Sequence, residues 1–233
     1  MEDDYIQKEI KYEFLGHPDA NEFFAPLDYA LKNGVYIQQQ SKPKGIFDFV
    51  RFSNYPSLCR YYSDFFDLYL SSEGQDSEQF FFIDFRKNEN GRFSRGNIPE
   101  VNRKRLKDAH LIVGFLLVRI CIIDPTTEYR QSINDFVKRI FDDYDEYKSN
   151  LLRLFAKNNE DISIDADEKA IQQVILNALS DFNDIGWVSF DKDSQAFEVM
   201  PSCKRLLTLY EEIIMKIDEI IKGNYGETIS KNS

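Results

Sequence analysis

Between Ala170 and Phe182 apolar residues return at helical spacing. The chain then passes through Asp184-Ile185-Gly186 into Trp187-Val188-Ser189-Phe190 and, after five polar residues, Ala196-Phe197-Glu198-Val199-Met200. The first pattern predicts a helix over 167–183, and the second a two-stranded hairpin over 187–200. A related pattern lies upstream. Ser57 to Leu70 reads as a helix whose aromatic stripe (Leu58, Tyr61, Tyr62, Phe65, Phe66, Tyr69) belongs to a core, and Phe80-Phe81-Phe82-Ile83-Asp84-Phe85 reads as a strand that meets the turn signal Asn90-Gly91. Before these, Phe23, Phe24, Leu27, Ala30 and Leu31 mark a helix from Glu22 that Asn33-Gly34 ends. Val35-Tyr36-Ile37 is a short strand, Ile46 to Phe52 a brief helix, and Pro56 opens the next helix in its first turn.

The order helix, strand, helix, helix, hairpin is that of a winged-helix unit, and it occurs twice. In the second set a helix over 103–123 stops at Asp124-Pro125. Helical segments follow at 129–147 and 151–157, then the helix over 167–183 and its hairpin. A last helix begins after Pro201-Ser202, where Leu206, Tyr210, Ile213, Ile214, Ile217 and Ile221 keep the 3.6-residue period. The expected fold class is therefore α+β and mostly helical, with tandem winged-helix domains and a C-terminal helix. The expected boundaries are a flexible arm at 1–21, domains at 22–100 and 101–201, a helix at 202–222 and a disordered tail at 223–233.

A chain of 233 residues with 42% hydrophobic content has material for two small cores. The longest apolar run, Leu111 to Ile123, is interrupted by Arg119 and falls short of the roughly 20 residues that span a bilayer, so it reads as a buried helix. The acidic opening Met1-Glu2-Asp3-Asp4 does not resemble a secretory signal, and the expected location is the cytoplasm. Cys59, Cys121 and Cys203 are far apart and odd in number, which suits small core side chains better than a disulfide framework or a zinc knuckle.

Charge is unevenly spread. Residues 86–107 hold eight basic side chains (Arg86, Lys87, Arg92, Arg95, Arg103, Lys104, Arg105, Lys107) against Glu89 and Glu100, a local +6 in a chain of net charge −11, so the rest carries −17. A basic island in an acidic protein suggests one face for phosphate and other faces for protein; a solvated loop is the plainer reading. The acidic bulk predicts weak, salt-sensitive binding to DNA.

Catalytic readings fail on spacing. Gly91-Arg92-Phe93-Ser94-Arg95-Gly96 begins like a phosphate-binding loop, but Asn97-Ile98 stand where Lys and Ser/Thr are required. His17 and His110 are ninety-three positions apart and read as solvent and structural residues. The acidic run Asp142-Asp143-Tyr144-Asp145-Glu146 points in several directions on a helix and lacks the glycine of a calcium loop. No catalytic residue, cofactor or metal site is expected.

The two winged-helix units together with particular residues resemble the MukE/MksE family, the kite-type subunits of bacterial condensins. Those residues are Phe24-Ala25-Pro26-Leu27-Asp28-Tyr29-Ala30-Leu31-Lys32-Asn33-Gly34-Val35-Tyr36-Ile37, Phe81-Phe82-Ile83 with the Arg-rich stretch after it, Val113-Gly114, and Ile185-Gly186-Trp187-Val188-Ser189-Phe190. The resemblance spans roughly 22–210. It implies a non-enzymatic, nucleoid-associated homodimer that dimerises through its N-terminal domains and grips a kleisin of the MukF/MksF type. Through the kleisin it would join an SMC-type ATPase of the MukB/MksB type, in chromosome organisation and segregation or in Wadjet-type defence against plasmids. It also implies contact with double-stranded DNA without sequence preference.

The helix over 167–183 suits DNA poorly, because Lys169 is its only basic residue beside Asp167, Glu168 and Asp181. The expected phosphate contacts are Arg92 and Arg95, on or beside the tip of the first wing, and Arg103, Lys104 and Arg105, at the start of the next helix. Two alternatives remain. One is a stand-alone winged-helix transcription regulator, for which Gln172, Gln173 and Asn177 are the base-reaching candidates. The other is an adaptor whose basic island binds an acidic protein. Twenty Phe and thirteen Tyr exceed what two small cores need, so some are expected at a dimer or kleisin interface.

Overall fold

The computed structural model describes residues 12–85, 96–99, 105–143, 164–191 and 193–222, with side chains from 169 onward in the fourth stretch. The chain divides into two units, Met1–Lys104 and Arg105–Ser233. Both are helical with a small antiparallel sheet, so the fold is α+β and mostly helical.

The first unit contains helices α1 (Ala20–Lys32), α2 (Ile46–Arg51) and α3 (Tyr55–Phe66), and strands β1 (Ile37–Gln38), β2 (Tyr69–Glu73) and β3 (Phe80–Asp84), in the sheet order β1-β3-β2. Phe23, Leu27 and Leu31 recur along one side of α1 and are buried, and Gly34, at φ +78°, ends the helix. Lys32 ties α1 to α3. Its Nζ lies 2.7 Å from Asp28 Oδ2 and 3.6 Å from the centroid of the Phe66 ring. Leu58, Tyr62, Phe81 and Ile83 complete the core with α2, and each such fully buried side chain contributes about 1.5–3 kcal/mol of transfer free energy.

Three expectations for this unit are corrected. Order begins well before Glu22, because a 3₁₀ turn at Glu13–Gly16 buries Phe14 completely and Tyr12 almost so. Helix α3 stops at Phe66, not Leu70. Asp67 takes a left-handed conformation (φ +51°), and the amides of Asp67 and Leu68 bond back to the carbonyls of Ser63 and Tyr62. Tyr69 and Leu70 therefore belong to β2, and the hairpin pairs Tyr69 with Asp84 and Glu73 with Phe80. Its turn is 74–79, with Gly74 at φ +75°. The expected turn at Asn90-Gly91 lies outside the described residues.

The second unit repeats the scheme with α4 (Asp108–Val118), a π-helical turn (Arg119–Ile123), β4 (Arg130–Ser132), α5 (Ile133–Asp143), α6 (Ile164–Ile185), β5 (Val188–Asp191) and β6 (Ala196–Val199). Its sheet order, β4-β6-β5, again places the last strand in the middle. In both units the element order and sheet order are consistent with a winged helix. Val113, Leu116, Leu117, Ile175, Leu179, Phe182 and Phe197 are buried. Gly114 brings α4 close to its neighbours: a Cβ there would stand 3.0 Å from Leu206 Cδ1 and 3.3 Å from Phe182 Cζ.

The helix expected from Arg103 begins only at Asp108, after the extended Lys107. The helix expected from Tyr129 begins at Ile133, because 130–132 pair with 196–198 as β4. Ser132 caps α5: its hydroxyl accepts from the Asp135 amide at 3.0 Å and donates to Asp135 Oδ2 at 2.8 Å. The segment expected as helix at 151–157 lies outside the described residues. After a 3₁₀ turn at Pro201–Cys203, α7 (Lys204–Met215) and α8 (Ile217–Ile221) replace the single expected helix, with a kink at Tyr210 and a break at Lys216.

Candidate interaction surfaces

Only parts of the basic island are described. Phe85, just before it, follows the Tyr69–Asp84 pair at the open end of the hairpin. Within it, the Asn97 amide bonds to the Phe66 carbonyl at 2.8 Å and Ile98 is buried. Arg86, Lys87, Arg92, Arg95, Arg103 and Lys104 lie outside the described residues. The turn of the β2–β3 hairpin is 74–79 and carries Asp76 and Glu78; the expected place of Arg92 and Arg95 at a wing tip lies outside the described residues. Arg105 and Lys107 are exposed in the extended stretch before α4, so Arg105 precedes the helix it was expected to open.

The helices that precede the hairpins present little positive charge. On α6 the exposed side chains include Lys169, Gln173, Asn177, Ser180 and Asp184, and Gln173 donates to Asn177 at 3.0 Å. Gln172 is only half-exposed. Asp181 turns inward, its Oδ2 2.7 Å from Nδ1 of buried His110, so that histidine fastens α6 to α4. Asn183 accepts the Phe190 amide at 2.9 Å and occupies an outward donor of edge strand β5.

On α3 the basic side chain is Arg60, which pairs with Glu13 of the N-terminal segment. Hydrogen bonds from the backbone at Glu13 and from Ser57, with the guanidinium of Arg60, hold the Glu13 carboxyl below its ordinary range. Tyr12 donates to Asp64 at 3.0 Å and packs on Tyr61 and Phe65. The aromatic stripe of α3 is thus only partly core, because Phe65 is 55% exposed. Tyr29, Phe52 and Tyr129 are further exposed aromatics.

A cleft of about 230 Å³ opens in the second unit between the π-turn, α5 and α8. Arg139 pairs with Asp124 and donates to Thr127, Asp143 stands 3.8 Å from Arg139 Nε, and Arg119 stands 3.6 Å from Asp218. Hydrogen bonds from the hydroxyl and amide of Thr126, with the guanidinium of Arg139, lower Asp124 to about 2. Burial pushes the Cys121 thiol up to about 12 and that of Cys203 higher still, which leaves both as inert core side chains. Among the described residues no group of His, Cys, Asp and Glu is placed to hold a metal, and no helix is long and apolar enough to cross a membrane.

Each unit sets helices against a three-stranded antiparallel sheet that ends in a hairpin. Residues 22–211, from α1 into α7, match the family described as condensin complex protein MksE, and the chain belongs to that family. No individual curated protein matches the chain.

Proposed function

We propose that the protein is a non-catalytic accessory subunit of the kite type in a MukBEF/MksBEF-like condensin. It acts as a homodimer on a kleisin of the MukF/MksF type and, through it, on an SMC ATPase of the MukB/MksB type, which carries the ATP chemistry. It works in the cytoplasm at the nucleoid, in chromosome organisation and segregation or in plasmid defence. The supporting observation is the extent of the family match, which runs through both units.

DNA contact in this reading is made by the basic island, with Arg92, Arg95, Arg103, Lys104 and Arg105 on phosphates and no base readout. The lone lysine on the exposed face of α6 and the paired arginine of α3 favour the island over the helices. Reversing Arg103→Glu with Arg105→Glu in the assembled complex lowers DNA affinity. It also flattens the slope of log K against log salt by roughly 2, since each phosphate that a cation neutralises adds about 0.9 to that slope. Fluorescence anisotropy over a salt series checks this; unchanged affinity and slope contradict the assignment.

A further inference from the structure

In a helix-turn-helix reader, the helix before the hairpin offers its outer side to the DNA groove. In the first unit that helix is α3, and the chain's own N-terminal segment lies along it. Phe14 is wholly buried against Phe24 and Tyr61, with ring centroids 4.8 and 5.5 Å away. Its amide lies 3.4 Å from Ser57 Oγ. Tyr12 covers Tyr61 and Phe65 and bonds to Asp64, and Glu13 engages Arg60. The segment is part of the core, so a groove cannot take its place.

The surface that results carries Glu13 and Asp64 against Arg60, a net negative charge that repels phosphate. Two large apolar side chains stand out of it, Phe65 at 55% and Leu15 at 49% exposure. An apolar anchor inside a charged rim is the anatomy of a protein hot spot. The excess of carboxylates selects the charge of what docks there.

We infer that this face, formed by residues 12–16 on α3, is a docking surface for a protein segment with an apolar centre and Lys/Arg flanks, and that DNA does not bind it. The partner is defined by that chemistry alone, so the inference stands apart from the identity of the complex. The surface also separates tasks within the unit: phosphate contact belongs to the island after β3 and protein contact to α3.

The test places the photo-crosslinker p-benzoylphenylalanine at position 65 of the full chain in its own cells and sequences the attachment site. Phe65 is exposed, so the substitution leaves the fold in place, which circular dichroism verifies. The expected product is a link to a protein segment with at least two Lys or Arg within about five residues of an apolar attachment point. Glu13→Gln with Asp64→Asn keeps the hydrogen bonds to Arg60 and Tyr12 but removes two charges. Its expected effect is a fall in the yield of that link by about threefold, the scale of two exposed ion pairs. A link to DNA, to a second copy of this chain or to an acid-flanked segment, or no link at all, overturns the inference, as does a yield indifferent to the charge change.

Discussion

Asp124 fastens together residues that the sequence separates. It follows the π-turn, accepts from the amide and hydroxyl of Thr126 at 2.8 and 2.6 Å, and pairs with Arg139 of α5. These interactions favour the ionised carboxylate, and its pKa of about 2 lies below the ordinary 3.8. Stabilisation from Asp124 is therefore complete above the ordinary value and is lost as pH falls from about 4 through 2. Asp124→Asn is expected to be less stable than the parent at pH 5–7, with the gap closing below pH 4. Urea midpoints of both proteins across that range check it, and a gap that persists at pH 2 contradicts it.

At the scale of elements, the hairpin of the first unit depends on a turn that one backbone position makes possible. Gly74 sits at φ +75°, and a Cβ there would overlap the carbonyl oxygen of Glu78, which is fixed by the turn that bonds Glu78 back to Gln75. Gly74→Ala is expected to cost more than about 2 kcal/mol, combining a strained φ with a backbone clash. The loss would appear as a lower urea midpoint, and an unchanged midpoint speaks against this account of the turn.

The same hairpin shows where sequence reading succeeds and fails. The second hairpin was legible because Gly186 and five polar residues punctuate two apolar stretches, and it forms at 188–191 and 196–199. The first was misplaced because aspartate, not glycine, takes the left-handed stop at Asp67, so Tyr69 and Leu70 continued a helical period they do not share. Strand β4 was hidden by its shortness, although the Ser132-x-x-Asp135 cap marked the true start of α5. The role of residues 12–16 was missed because aromatic side chains in a polar stretch carry no periodicity; Tyr12 and Phe14 were the available signal. The poor charge of α6 was legible directly, since a cation count does not depend on fold.

At the scale of the whole molecule, a net charge of −11 coexists with a +6 stretch at 86–107, and the proposed division of labour between surfaces rests on that contrast. Asn97, within that stretch, bonds to the Phe66 carbonyl at the end of α3. Long-range repulsion from the acidic bulk opposes DNA binding by an isolated subunit, so the proposed phosphate contact calls for an assembly that supplies further positive charge.

Membership of a working condensin assembly is the central claim, and affinity purification of the tagged full-length protein from its own cells at low salt tests it most directly. The predicted result is recovery of a kleisin-like subunit together with a long coiled-coil ATPase. Recovery of the protein without either, above all with one enriched DNA sequence, would contradict it and place a stand-alone regulator first.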